Sequence, residues 1–136
     1  MRLALALAFL LLATASHAEI AVVAGRASQI AKLNEREVAD IFLAKTSQLA
    51  DGHRVNPLEL RESGLKESFY RVICGKSLAQ VNSYWTTLIF TGKGKPPRSI
   101  EGVEQLIARL NSDPQAIGYL PLDQVGASMK VLHVLH

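Results

Sequence analysis

Two groups of residues have the types and spacing to do chemistry. Arg61 and Lys66 flank a helix start at Ser63. Unsatisfied N–H donors and the positive end of the helix dipole coincide at such a start, so cations beside it suit a small oxyanion. The second group is the stretch TGKGKPPR, where Lys93, Lys95 and Arg98 are spaced by Gly94 and Pro96-Pro97. It has neither the GxxxxGK spacing nor the following Ser or Thr of a phosphate-cradling loop. It reads instead as a stiff basic loop that would meet an acidic partner, lipid headgroups or an anionic polymer, or simply as a solvated connector.

Other chemistries find little support. Cys74, the single cysteine, sits near a helix C-terminus, where the dipole raises a thiol pKa, and it excludes an intrachain disulfide or a CxxC site. His53 falls in a turn, and His133 and His136 lie at the tail in i, i+3 spacing, which is not a metal-site pattern. No Ser-His-Asp arrangement can be argued from spacing, so a small hydrolase is not favoured. No metal or cofactor is expected. Tyr70, Tyr84, Trp85 and Phe90 fall largely on helical faces and are expected in the core rather than on a stacking platform.

The elements that must position these groups follow from periodicity. Ile20 to Gly25 is an apolar run closed by Gly, hence a buried strand. Asn34 and Glu37 have capping-box spacing ahead of Val38, Ile41 and Phe42, with Lys45 placed near the helix end. Arg54 to Leu60 reads as a strand that Pro57 confines to an edge or irregular position. Leu65, Phe69, Val72 and Ile73 define a helix with Ser63 as cap and Gly75 as stop. Ser77 and Gln80 form a second capping box before Val81, Trp85, Leu88 and Ile89. Thr91 to Arg98 is a loop, Ser99 to Asn111 a fourth helix ended by Asp113-Pro114, and Ala116 to Leu120 and Lys130 to Leu135 are closing strands. Alternation of strands and helices predicts an α/β sandwich on a mostly parallel or mixed sheet.

Composition bounds the rest. The chain has 136 residues, 49% of them hydrophobic, and a net charge of +3, which suits one domain and excludes intrinsic disorder. The charge is too small to argue for nucleic acid. Met1-Arg2, the apolar run Leu3 to Ala13 and the small residues of Ser16-His17-Ala18 form the three-part pattern of a secretory signal peptide. The run is too short to span a bilayer, which takes about 20 residues. Residues 1–18 are thus expected to be removed on export to the periplasm, leaving a domain at 19–136 of 118 residues with a net charge of +2 once Arg2 is lost.

Three segments in order, Asp40 to Lys45 (DIFLAK), Arg61 to Phe69 (RESGLKESF) and Gln115 to Leu120 (QAIGYL), resemble the second lobe of the phosphate-binding subunit of bacterial phosphate ABC importers. These subunits are type II periplasmic binding proteins, and the resemblance spans roughly residues 33–122. It implies a single lobe of that fold, a mixed sheet flanked by about four helices, and a non-enzymatic solute-binding role. In the family the middle segment reads Arg-x-Asp-Gly-Ser-Gly-Thr-Ser-Phe, and its Arg, hydroxyl and Gly N–H groups hold phosphate. Arg61, Gly64, Ser68 and Phe69 match, whereas Ser63 replaces the Asp, Leu65 the Ser, Lys66 the second Gly and Glu67 the Thr. The resemblance therefore implies a residual oxyanion site at Arg61, Ser63, Gly64 and Ser68, and an ABC permease or envelope protein as partner. A homodimer would rebuild a two-sided cleft. The alternative is a periplasmic adaptor that has lost solute binding and works through Lys93, Lys95 and Arg98.

Overall fold

A computed structural model describes residues 19–136. The expected signal peptide, residues 1–18, lies outside the described residues. Five strands and four helices follow one another as β1 (Ile20–Gly25), α1 (Glu35–Phe42), β2 (Asn56–Leu60), α2 (Ser63–Cys74), α3 (Leu78–Phe90), β3 (Arg98–Ile100), α4 (Val103–Ser112), β4 (Ala116–Pro121) and β5 (Met129–Leu135). The strands form one mixed sheet in the order β3-β2-β4-β1-β5. β2 runs parallel to β3 and β4, whereas β1 is antiparallel to both of its neighbours, β4 and β5. The α/β sandwich on a mixed sheet is the architecture that the alternation predicts.

The two-residue period of a strand builds the layers. In β1, Val22 and Ala24 face a core shared with Phe42, Phe69, Val81 and Trp85 of α1, α2 and α3. Ala21 and Val23 face the opposite core, with Leu106 and Leu110 of α4. β1 is covered on both faces, which is why its sequence is continuously apolar. Close approach adds one constraint. A Cβ built on Gly25 would lie 2.1 Å from the Leu110 carbonyl oxygen, so only glycine lets β1 pass that turn of α4.

Both expected capping boxes are present. Asn34 Oδ1 accepts from the Glu37 N–H while Glu37 Oε1 accepts from the Asn34 N–H, and Ser77 and Gln80 do the same at α3. Gly75 ends α2 in the left-handed conformation.

Several local expectations are corrected. β2 is an interior strand rather than an edge. The Asn56 N–H donates toward β4, so the nitrogen of Pro57 faces β3, whose ladder begins only at Leu58. Proline at the head of the strand therefore interrupts no bond. Residues 99–100 are not helical, because Arg98–Ile100 forms β3 and α4 starts at Val103 after Gly102. The basic loop correspondingly ends at Pro97. Glu62, not Ser63, stands at the N-cap position of α2, and neither side chain caps it. Lys45 stands beyond α1, which carries no basic residue in its last turn.

Candidate anion-binding site

β2 ends at Leu60, and two residues turn the chain into α2. Arg61, Glu62, Ser63, Gly64 and Ser68 are all exposed around this start. Glu62 makes no side-chain bond to the helix, so the first N–H groups of α2 lack a side-chain cap. A Cβ built on Gly64 would meet nothing within 4 Å, so the space over the helix start is open. Those features favour an anion.

The cations beside it are already engaged. The Arg61 guanidinium pairs with the Glu101 carboxylate just beyond β3, both side chains being well exposed. Lys66 is half-buried and turned toward Glu59. Its Nζ lies 3.3 Å from Glu59 Oε1, and Glu59 is only 3% exposed. Glu67, whose carboxylate would repel an anion, instead accepts from Arg71 Nη2 at 2.9 Å, one turn farther down the helix. Leu65 is half-buried and packs on the core.

Glu59 anchors a cluster that sequence reasoning missed. Its Oε2 accepts from the Tyr70 hydroxyl at 3.0 Å and from the Tyr119 hydroxyl at 3.3 Å. Burial pushes the Glu59 carboxyl above the usual carboxylate range, against the opposing pull of Lys66 and the two hydroxyls. Burial and the neighbouring carboxylate push both tyrosines far up, so their hydroxyls stay protonated and act as donors. The available signal was a glutamate flanked by Leu58 and Leu60 in a predicted strand, where a solvent-facing position is the ordinary reading.

The three segments that carried the resemblance meet in the core. Phe69 stacks on Tyr119 with centroids 3.7 Å apart, and Phe42 packs edge-on against both, at 4.9 and 5.4 Å. Each segment supplies one ring.

The second group stands elsewhere. Arg98 opens β3 opposite Leu58, and Lys93 and Lys95 precede it, so the loop enters β3 at the end opposite Glu101 and Arg61. All three side chains are exposed. Of the aromatic residues expected inside, Tyr70 and Trp85 are buried and Tyr84 donates to the Leu43 carbonyl. Phe90 is the exception, 92% exposed, because it lies on the face of α3 opposite the one that Val81 and Trp85 bury.

Cys74 is half-buried and donates to the Tyr70 carbonyl. It lies on an open groove of about 510 Å³ between α1 and the far end of α2, with Glu35, Asp40 and Lys45 on its rim. His53 pairs with Asp51 and His136 with Glu19. Among the described residues no three His, Cys, Asp or Glu side chains stand together as a metal site, and no helix is long and apolar enough to cross a membrane.

Solved structures share this fold. An ABC-type phosphate transport receptor from Vibrio cholerae superposes with a TM-score of 0.64 at 16% identity, over 85% of this chain and 46% of that one. A protein from Clostridium perfringens, described as a phosphate ABC transporter substrate-binding protein and solved with bound phosphate, gives 0.63 at 16% identity, over 85% and 45%. PstS from Borrelia burgdorferi gives 0.59 at 14%, over 85% and 47%. No protein-family model and no curated relative matches the sequence. The chain thus has the fold of a phosphate-type substrate-binding protein, and it spans a little under half the length of these structures. These neighbours are transport binding proteins rather than enzymes.

Proposed function

We propose that the chain is an exported, non-enzymatic solute-binding protein of the phosphate-receptor kind that holds small oxyanions weakly at the start of α2. Arg61, the N–H groups of Ser63 and Gly64, and the Ser68 hydroxyl are the contacts. The observation that carries this reading is a twelve-residue helix with an open, uncapped start beside an arginine. A neighbour of the same fold binds phosphate.

Magnitudes argue for weak binding. An exposed helix dipole contributes about 0.3–1 kcal/mol, and a charge-assisted hydrogen bond about 1.5–3 kcal/mol. Micromolar affinity takes about 8 kcal/mol. Glu101 competes for Arg61, and one lobe encloses its ligand on one side only. Two copies with their α2 starts facing each other would supply the second side.

Isothermal titration with phosphate and sulfate tests this directly. The wild type is expected to bind in the millimolar range. Glu101→Gln, which frees the guanidinium, should tighten binding roughly tenfold, the worth of one charged hydrogen bond, and Arg61→Ala should abolish it. Absence of heat from both wild type and Glu101→Gln at millimolar anion would sink the proposal.

The pairing of Arg61 with Glu101 and of Lys66 with Glu59 favours a second reading, an adaptor for a permease or envelope protein that has lost solute binding. A partner captured by wild type and lost on charge reversal of Lys93, Lys95 and Arg98 would support it.

A further inference from the structure

We propose that the corner where α3 ends and the chain turns toward β3 docks on the surface of an anionic lipid bilayer. Phe90 and Ile89 enter the headgroup region, and Lys93 and Lys95 meet the lipid phosphates. The starting observation is exposure. Phe90 is 92% and Ile89 57% exposed, the most exposed large apolar side chains among the described residues, and they are adjacent. Single exposed apolar side chains are ordinary, but neighbouring ones rimmed by polar groups are the kind of surface that marks interaction sites.

Charge complements the apolar tip. α3 has no charged side chain at all, and residues 68–100 contain five Lys and Arg but no Asp or Glu. Lys93 and Lys95 are exposed, and among the described residues neither joins an ion pair. A cation at a helix C-terminus complements the dipole, which would account for Lys93 alone. It accounts for neither Lys95 nor Phe90.

The tip is rigid rather than frayed. The Lys93 N–H donates to the Leu88 carbonyl at 2.9 Å and the Gly92 N–H to the Ile89 carbonyl at 3.2 Å, with Gly92 at φ 69°. This is the paired-bond helix stop that requires a left-handed residue, and glycine supplies it without strain. Gly94 then packs between Leu88 and Ala44, and Pro97 is buried. Phe90 and the two lysines are therefore held together before anything binds, which lowers the ordering cost.

Shape selects the partner. A stable protein interface covers about 800 Å² on each side, more than two exposed apolar side chains offer. A bilayer surface needs only a few apolar groups entering the interface and cations near its phosphates.

The test uses the protein purified from the periplasm after export, mixed with vesicles of phosphatidylcholine alone or with an equimolar share of phosphatidylglycerol. Sedimentation with the anionic vesicles only, weakened by added salt, is the expected result. Phe90→Ser should weaken binding about tenfold or more, and each of Lys93→Glu and Lys95→Glu at least fivefold. Phe90→Trp should show a blue-shifted emission on adding anionic vesicles. These positions are exposed, so unchanged thermal melts will show that the variants are folded. Failure to sediment with anionic vesicles, or binding indifferent to Phe90→Ser, would overturn the proposal. So would capture by an acidic protein with no vesicle binding. None of these outcomes depends on whether α2 binds an oxyanion.

Discussion

A carboxyl group buried as deeply as Glu59 needs partners on both oxygens, because an unpaired buried charge costs several kcal/mol. Tyr70 and Tyr119 donate to one oxygen and Lys66 reaches the other. Desolvation nevertheless outweighs these partners and holds the carboxyl above its ordinary value of 4.5. As pH rises past that value, the folded chain keeps this proton longer than the unfolded chain does. The contribution of Glu59 to stability then falls with rising pH through the window just above 4.5. Glu59→Gln keeps an acceptor for the tyrosines and has no proton to lose, so its unfolding free energy should lack that decline. Chemical denaturation of both proteins across pH 4–8 measures the difference, and parallel curves would refute this account. The same residue explains why Lys66, which looked like a cation for an incoming anion, is instead consumed inside the protein.

At the scale of elements, the helices were the most legible part of the chain. A capping box is a contract between residues three apart, and it needs no tertiary partner to be read. Asn34→Ala and Ser77→Ala should each cost about 1 kcal/mol. The caps belong to different helices, so the double variant should lose the sum of the two, as read by urea denaturation with an unchanged slope. Strand placement was less legible. Pro57 has no N–H in any setting, but whether that matters depends on which neighbour lies on that side and where its ladder starts. Likewise β3 has only three residues, too few to show a period, and its pairing with β2 decides that residues 98–100 are extended. Phe90 is apolar like Trp85, but at 3.6 residues per turn it lies on the face opposite Val81, so α3 turns it away from the core.

For the whole molecule, the segments that suggested a phosphate receptor turned out to share a structural task. Phe42, Phe69 and Tyr119 close one aromatic core, so these motifs report on fold more than on ligand. Of the positions where the sequence departs from the phosphate-holding pattern, Ser63 stays exposed, whereas the other three turn inward or along the helix: Leu65 to the core, Lys66 to Glu59 and Glu67 to Arg71. If residues 1–18 are cleaved on export as proposed, the protein should be recovered from the periplasm with Glu19 as its first residue. Intact-mass measurement checks this, and a retained residue 1–18 segment would count against export by signal cleavage.

Taken by itself, the sequence determined the presence of four helices, the two capping boxes, the apolar central strand and the α/β class, since all of these arise from interactions among residues a few positions apart. Only the tertiary structure decided which charges remain free. Arg61 finds Glu101 across β3, Lys66 finds Glu59 beneath α2, and the lysines beside Phe90 find nothing among the described residues. Electrostatic attraction acts through space rather than along the chain, so a cation's availability is set by the fold that brings, or fails to bring, a carboxylate beside it.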